Sequence, residues 1–193
     1  MVNKFFIKRN KCPLCNSKKI NLIFDKTHKE IKTYEFLKSH LNNKFPFKIL
    51  KYINFSVDKC SVCGLIFQKN ILNKNYSEKF YDKYIDHRKV VKNKKKNKII
   101  RINIKESNFF KKIFKIKKNI QVLEFGSGIG YWAIAMKNEG YNVETIELSK
   151  SRRNFLKNEK IKSFKNLNNI KKKYDLIYSD QTFEHLSEPG ITI

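Results

Sequence analysis

The segment that most constrains this chain is residues 122–130, where an apolar strand pattern runs directly into alternating glycines. Val122, Leu123 and Phe125 supply the apolar positions. The turn that follows contains Gly126, Ser127, Gly128 and Gly130. Glycine has no Cβ, so such a turn bends tightly and lets a ligand approach the backbone closely. Residues 131–137 follow without a helix breaker. A strand, a glycine turn and a helix together indicate a site for an adenosine-containing cofactor at the edge of a parallel sheet.

Two cofactor classes use such a loop. The dinucleotide fingerprint Gly-x-Gly-x-x-Gly would need a glycine at position 131, where this chain has Tyr131. The pattern here is Glu124-x-Gly-x-Gly-x-Gly, which resembles the first motif of the class I S-adenosylmethionine (SAM)-dependent methyltransferases. On the loop alone, a plain strand-to-helix turn is the alternative interpretation.

Two later stretches strengthen that resemblance, which covers residues 109–189. Residues 141–147 predict the next strand, and it ends in Glu147, 17 residues after Gly130. A carboxylate at that strand end can accept hydrogen bonds from both ribose hydroxyls. Residues 174–186 are similar to the family's fourth strand and its loop, which implies that Asp180 lies beside the cofactor. The family often has an acid after the third strand; here Asn166 stands there and could accept from the adenine amine.

The resemblance implies an α/β fold, with a Rossmann-like methyltransferase sheet preceded by a small, β-rich zinc-binding module. We expect strands at 120–125, 142–147, 161–164 and 174–179. The family sheet has seven strands in the order 3-2-1-4-5-7-6, so these would form only its 3-2-1-4 part. We therefore expect a C-terminally truncated copy without independent activity. The expected domains are a zinc-ribbon-like module at 1–75, aromatic and lysine-rich connecting helices at 76–108, including the lysine-rich run 89–98, and half of the methyltransferase domain at 109–193.

All four cysteines lie in two Cys-x-x-Cys pairs: Cys12, Cys15, Cys60 and Cys63. Two such pairs can place four thiolates around one ion, which predicts a closed, structural zinc site. Disulfides and a redox pair are the alternatives. The spacer of 44 residues must have structure of its own. Apolar residues from Ile20 to Phe24 and from Leu50 to Phe55 predict strands that flank the two pairs, and residues 28–44 have weak helical spacing.

The second cysteine pair, with the Gly-Leu-Ile-Phe segment and the aromatic residues after it, resembles the N-terminal region of bacterial sugar C-methyltransferases. That resemblance implies a nucleotide-linked sugar as acceptor, with Tyr81 and Tyr84 in the substrate pocket. It also implies that His185 acts as the general base, with Glu184 orienting the imidazole or the substrate. The alternatives are that the tyrosines form an apolar helix face and that the Glu-His pair is structural.

Charge and composition constrain the partners. The net charge is +26, but lysine supplies 38 of the 43 basic residues. Arginine, the preferred bidentate reader of phosphate and guanine, is scarce, so we expect no nucleic-acid partner. No apolar run is long enough for a membrane span or a signal peptide, which predicts a cytoplasmic protein. An RNA methyltransferase and a non-catalytic zinc-binding remnant are the competing hypotheses.

Overall fold

A computed structural model describes residues 5–42, 44–85, 96–113, 115 and 119–192. The chain divides into two compact units. The first contains residues 1–86 together with 183–193, and the second contains residues 87–182. Most of the lysine-rich run expected at 89–98 lies outside the described residues.

The first unit is built on two small antiparallel sheets. Its strands are β1 (Phe6–Lys8), β2 (Ile20–Thr27), β3 (Asn54–Cys60), β4 (Ile66–Gln68) and β5 (Asn70–Leu72). Strands β2, β3 and β4 form one sheet in that order, and β1 pairs with β5 in the other. Each pair of cysteines adjoins the three-stranded sheet: the first pair precedes β2, and the second lies between β3 and β4. The β-rich character expected of this unit is therefore present.

Helical segments complete the first unit. They are α1 (Thr33–His40), a 3₁₀ helix (Phe47–Tyr52), α2 (Lys74–Lys79) and a π-helical turn (Phe80–Tyr84). The expected strand from Leu50 to Phe55 is wrong in its first part, because Leu50 and Tyr52 belong to the 3₁₀ helix. Pro46 precedes that helix, and burial of Leu50 against Phe45 favours the tight helical turn over an extended strand.

The second unit contains a four-stranded parallel sheet. Its elements are α3 (Lys96–Ile113), β6 (Gln121–Phe125), α4 (Tyr131–Asn138), β7 (Asn142–Ile146), α5 (Lys150–Asn158), β8 (Lys162–Phe164) and β9 (Leu176–Tyr178). The strands lie in the order β8-β7-β6-β9, which is the order 3-2-1-4 expected from the sequence. All three pairings are parallel, and each expected strand lies within two residues of its observed position. The expected domain boundary at residue 109 falls inside α3.

Apolar side chains cover this sheet. The wholly buried Leu156 of α5 packs with Tyr131, Ala133 and Ile134 of α4. The rings of Trp132 and Tyr178 are stacked, with their centroids 3.9 Å apart. These contacts hold α4 against α5 and against β9. Among the described residues, no helix has the length and apolar character needed to cross a membrane.

After β9 the chain returns to the first unit. The returning segment contains a 3₁₀ turn (Phe183–His185) and a short helix, α6 (Pro189–Thr192). The Glu-His pair singled out in the sequence is therefore described with the first unit, and the glycine turn with the second.

Candidate cofactor site and four-cysteine cluster

The glycine turn connects β6 to α4 and is bonded to the neighbouring strand β7. The backbone N–H groups of Gly126 and Ser127 donate to the carbonyl of Ile146, at 2.9 and 3.1 Å. The N–H of Gly130 donates to the carbonyl of Ser127 at 2.7 Å, which closes the turn before the helix begins. These bonds hold the turn at the carboxyl end of two parallel strands, where open α/β sheets bind ligands.

The three glycines of the turn are required for different physical reasons. A Cβ at Gly126 would collide with the side chain of Thr182, and one at Gly130 would collide with Leu156. Packing within the unit therefore excludes side chains at these two positions. Gly128 has φ +58°, and its nearest outside atom is Nη1 of Arg152, 3.7 Å from a Cβ placed there. Of these three glycines, only Gly128 would accept a Cβ without a collision, so the backbone is most accessible at this position.

Ser127 has a hydroxyl group that fits the same interpretation. Its side chain is buried, yet its Oγ has no hydrogen-bond partner within the described part of the chain. A buried hydroxyl without a partner is unfavourable, and a bound polar ligand would supply one. The residues present therefore fit a polar cofactor at this turn.

Glu147 follows β7, as expected, and lies next to the turn. Its Oε1 accepts a hydrogen bond of 2.8 Å from the N–H of Ser149, and its Oε2 lies 3.7 Å from Nη1 of Arg152. Burial raises the pKa of Glu147, while the charge of Arg152 and the N–H groups of Ser149 and Gly128 act in the opposite direction. Arg152 keeps this buried carboxylate paired, so a ribose would share or replace that contact.

The sequence did not single out Arg152 and Thr182 as site residues. Arg152 lies in the first turn of α5, where its N–H donates to the capping Ser149 hydroxyl at 3.4 Å. A side chain in the first turn of a helix that directly follows a strand lies near the end of that strand. The Ser149 cap therefore could have identified Arg152 as a neighbour of Glu147. Thr182 donates to the carbonyl of Asp180 at 2.9 Å, and the contact between Thr182 and Gly126 depends on tertiary packing alone.

Glu124 lies on β6 and is almost completely buried. Its Oε2 accepts a hydrogen bond of 3.1 Å from the N–H of Ala133. Burial raises the pKa of Glu124 to about 8, and the charges of Glu147, Asp180 and Glu106 act in the same direction. Glu124 is therefore protonated near neutral pH and lies beside the start of α4, where its carboxyl is bonded to the helix backbone.

The two remaining cofactor candidates are exposed. Asp180 follows β9, and its charge acts on Glu124. Asn166 precedes a 3₁₀ turn (Leu167–Asn169) beyond β8. Both belong to the second unit, like the glycine turn. Their contact with a cofactor stays a prediction.

The cysteines of the first unit form two equivalent turns. In each turn, the N–H of the residue four positions after the first cysteine donates to that cysteine's carbonyl. Those residues are Asn16 and Gly64, and both bonds measure 3.0 Å. Both residues also have positive φ, +59° and +76°. The first-cysteine N–H groups bond to the carbonyls of Ser17 and Leu65, at 2.8 and 2.9 Å. The repeated geometry turns all four thiols toward one point.

The four sulfur atoms lie within 4.8 Å of one another, close enough to bind one metal ion. All four cysteines are free. The N–H groups of Cys63 and Val62 lower the pKa of Cys60 to about 6. Although the N–H of Leu65 lowers the pKa of Cys63, desolvation and the neighbouring sulfurs raise it to about 12. Crowding therefore opposes ionisation of all four thiols together, and a divalent cation would remove that opposition.

The four residues considered for catalysis lie in the first unit. The ring centroids of Tyr81 and His185 are 6.5 Å apart, and Nε2 of His185 lies 3.8 Å from Oε1 of Glu184. The side chains of His185 and Glu184 are about half exposed, at 55% and 50%. Tyr84 instead packs on Phe45, with centroids 5.3 Å apart, in the apolar cluster of this unit. The structure thus brings together Tyr81 and the Glu-His pair, whereas Tyr84 contributes to the core.

Comparison with known proteins gives one family. Residues 100–193 match the family described as a methyltransferase domain. The matched region contains the glycine turn, Glu147 and the Glu-His pair. No curated protein matches the chain significantly.

The raised pKa of Glu124 predicts a pH-dependent stability. The folded protein holds a proton that the unfolded chain, with an ordinary pKa near 4.5, releases, so stability falls as pH rises toward about 8. Glu124→Gln imitates the protonated form. Its free energy of unfolding should exceed that of the parent, and the difference should grow by about 2 kcal/mol between pH 6 and pH 8.

Urea denaturation, followed by the fluorescence of the single tryptophan in α4, measures this difference. The cysteines are the same in both proteins, so their contribution cancels. Glu139→Gln is the matched control, because Glu139 lies at the end of α4 and is only partly buried. Its free energy of unfolding should change with pH as that of the parent does. A constant difference between Glu124→Gln and the parent across this pH range would contradict the argument.

Proposed function

We propose that this chain, which carries a SAM-dependent methyltransferase domain, transfers a methyl group to a carbon or oxygen atom of a small molecule. The family match over residues 100–193 establishes the class of enzyme. We further propose that the acceptor is a nucleotide sugar or a polysaccharide precursor. The observation that carries this acceptor chemistry is the approach of Tyr81 to His185 and Glu184 in the first unit.

The cofactor side of the mechanism depends on the glycine turn. SAM supplies a methyl group on a positively charged sulfur. The open space at Gly128 admits the cofactor to the backbone, and the unpartnered Ser127 hydroxyl offers it a hydrogen bond. Glu147, at the end of β7, would accept hydrogen bonds from the ribose hydroxyls.

The acceptor side needs a group that removes a proton. Histidine is the side chain that most often serves as a general base, and we propose His185 for this role. Glu184, 3.8 Å away, stabilises the resulting imidazolium. The ring of Tyr81 provides an apolar surface beside them, on which a sugar can pack. Tyr84 acts by supporting this region through its packing on Phe45.

We infer that the four-cysteine cluster binds a structural zinc ion. Four thiolates close a tetrahedral shell and leave no open position for substrate. The two identical turns and the short sulfur–sulfur distances support this inference. The ion would neutralise the crowded thiolates and join the strand ends of the three-stranded sheet.

The basic charge of the chain makes RNA the main competing candidate for the methyl acceptor. The net charge of +26 would attract a polyanion. We propose a small acceptor instead, because 38 of the 43 basic residues are lysine and few arginines are present for bidentate contacts. We also propose a cytoplasmic location, in which the thiols stay reduced.

Metal content tests the zinc site. We expect about one zinc per chain, since one shell of four thiolates holds one ion. Cys15→Ser should lower zinc retention and destabilise the first unit, while Ser17→Ala, just after the first turn, should leave the stoichiometry unchanged. Atomic emission on dialysed protein measures the metal. Purified protein with two disulfides and no metal would contradict the inference.

Binding of SAM tests the glycine turn. Gly128→Val should weaken SAM binding at least about tenfold, because the new side chain enters the space open to the ligand and forces a strained φ. Gly140→Val is the matched control, since Gly140 also has positive φ, +90°, and nothing within 4 Å of its Cβ position. Calorimetric titration should show parent-like affinity for that control. Equal affinities in all three proteins would place the cofactor elsewhere.

Transfer of a labelled methyl group tests the acceptor class and the base. We expect label in sugar nucleotides and not in RNA. His185→Gln should lower turnover by about 10²-fold or more while SAM affinity stays unchanged, because a general base contributes to chemistry and not to cofactor binding. His40→Gln, at an exposed histidine of α1, is the control. Label in RNA alone would contradict the proposed acceptor.

A further inference from the structure

Arg9 is a buried arginine. In the described part of the chain, every hydrogen bond of its guanidinium group goes to a backbone carbonyl. It follows β1, and 9% of its surface is exposed. Nη1 donates to the carbonyl of Gln68 at 3.0 Å. Nη2 donates to the carbonyls of Leu186 and Ser187, the latter at 3.0 Å, and Nε donates to Ser187 at 3.3 Å. One side chain thus joins β4 to the segment that immediately follows His185.

Arg9 also contacts the apolar centre of the cysteine module. Its guanidinium carbon lies 6.0 Å from the centroid of the Phe67 ring. Phe67 is buried together with Cys12 and Cys60. Burial lowers the pKa of Arg9, and the charges of Cys12 and Glu188 act in the opposite direction. A metal bound by four thiolates would carry net negative charge, which complements the guanidinium.

A second contact joins the same segment to the first cysteine turn. The N–H of Gly190, in α6, donates to the carbonyl of Pro13 at 3.2 Å. A Cβ at Gly190 would lie only 3.0 Å from that carbonyl oxygen and would collide with the carbonyl of Leu14. Pro13 and Leu14 stand between the cysteines of the first pair. The segment therefore approaches the cysteine turn so closely that only glycine fits.

The other end of the segment is tethered in the second unit. Thr182 packs against the backbone of the glycine turn at Gly126, and the chain passes to the first unit at the next residue, Phe183. The segment that contains Glu184 and His185 therefore begins directly after the last residue of the second unit.

We propose that Arg9 is a positioning residue that anchors residues 183–190 on the cysteine module, so that metal binding controls the placement of Glu184 and His185. This assigns the metal site a role in ordering the loop after the fourth methyltransferase strand, besides holding its own module together. The inference depends on the proposed function only for the part that His185 plays in the reaction.

The planar fork of arginine suits this role. It presents several N–H donors in fixed directions, and here they satisfy three carbonyls at once. Lysine would keep the charge but could not reproduce the fork. The first cysteine turn contributes the Pro13 carbonyl, whose direction depends on how Cys12 and Cys15 are held. Loss of the metal would free this turn and weaken the second attachment.

Hydrogen–deuterium exchange on the full, zinc-loaded chain tests the proposal without any acceptor. The N–H groups of Leu186 and Gly190 are hydrogen-bonded and report on the segment. Arg9→Met should keep its zinc and raise exchange in residues 183–190 about tenfold or more, since hydrogen bonds from a charged group are lost. Arg9→Lys should lie between Arg9→Met and the parent. Arg101→Met, at an exposed arginine of α3, should match the parent.

Gly190→Ala disturbs the same anchor from the opposite side, without altering Arg9 or a cysteine, and should produce the same increase. Removal of zinc from the parent should do so as well. If Arg9→Met fails to fold, Arg9→Lys and Gly190→Ala decide the question. Unchanged exchange in residues 183–190 of the zinc-loaded variants would overturn the proposal. In the zinc-loaded variants, an equal increase throughout β2, β3 and β4 would also overturn it, because Arg9 would then support the whole module. Failure of methyl transfer alone would leave the inference standing.

Discussion

The second unit depends on the parallel pairing of β6 with both β7 and β9. This central position directs the carboxyl ends of three strands toward one edge, and it leaves the chain after β6 to turn immediately into α4. The carbonyl of Ile146 receives two N–H groups of the turn, so the loop is bonded to the strand that leads to Glu147. One hydrogen-bonded junction thus positions both the open backbone at Gly128 and the nearby carboxylate.

The charge near this junction differs from that of the rest of the chain. The net charge is +26, yet two buried carboxyl groups, those of Glu124 and Glu147, lie near the turn. Burying carboxylates together is unfavourable, and the structure responds in two ways. Glu147 is paired with Arg152, while the pKa of Glu124 rises to about 8. A cationic cofactor would relieve the same repulsion, which is why this arrangement suits a sulfonium compound.

Within the first unit, the segment after β9 packs on the cysteine module. Arg9 and the first cysteine turn hold that segment by its backbone carbonyls and by a close approach at Gly190. Backbone contacts do not depend on the identity of the neighbouring side chains. The side chains of Glu184 and His185 take no part in these contacts, which are made by the residues that follow them.

The sequence by itself determined the elements of the second unit and their order. Apolar runs and the turn glycines located β6, β7 and β8, because these are local signals, while the resemblance to the methyltransferase motifs located β9 and implied the strand order. The paired spacing of the cysteines likewise indicated one cluster, and the sulfurs do converge. The first unit was less predictable: Leu50, which is buried with Phe45, and the exposed Tyr52 lie in a 3₁₀ helix and not in the expected strand.

Only the tertiary structure decided which side chains meet. It pairs Arg152 with Glu147, brings Thr182 onto Gly126, and separates Tyr84, in the core, from Tyr81, beside His185. It also brings Arg9 to Leu186 and Ser187, although these residues lie at opposite ends of the chain. Such contacts join residues far apart in sequence and leave no periodic pattern, because a buried arginine and an exposed one are identical letters until the chain folds.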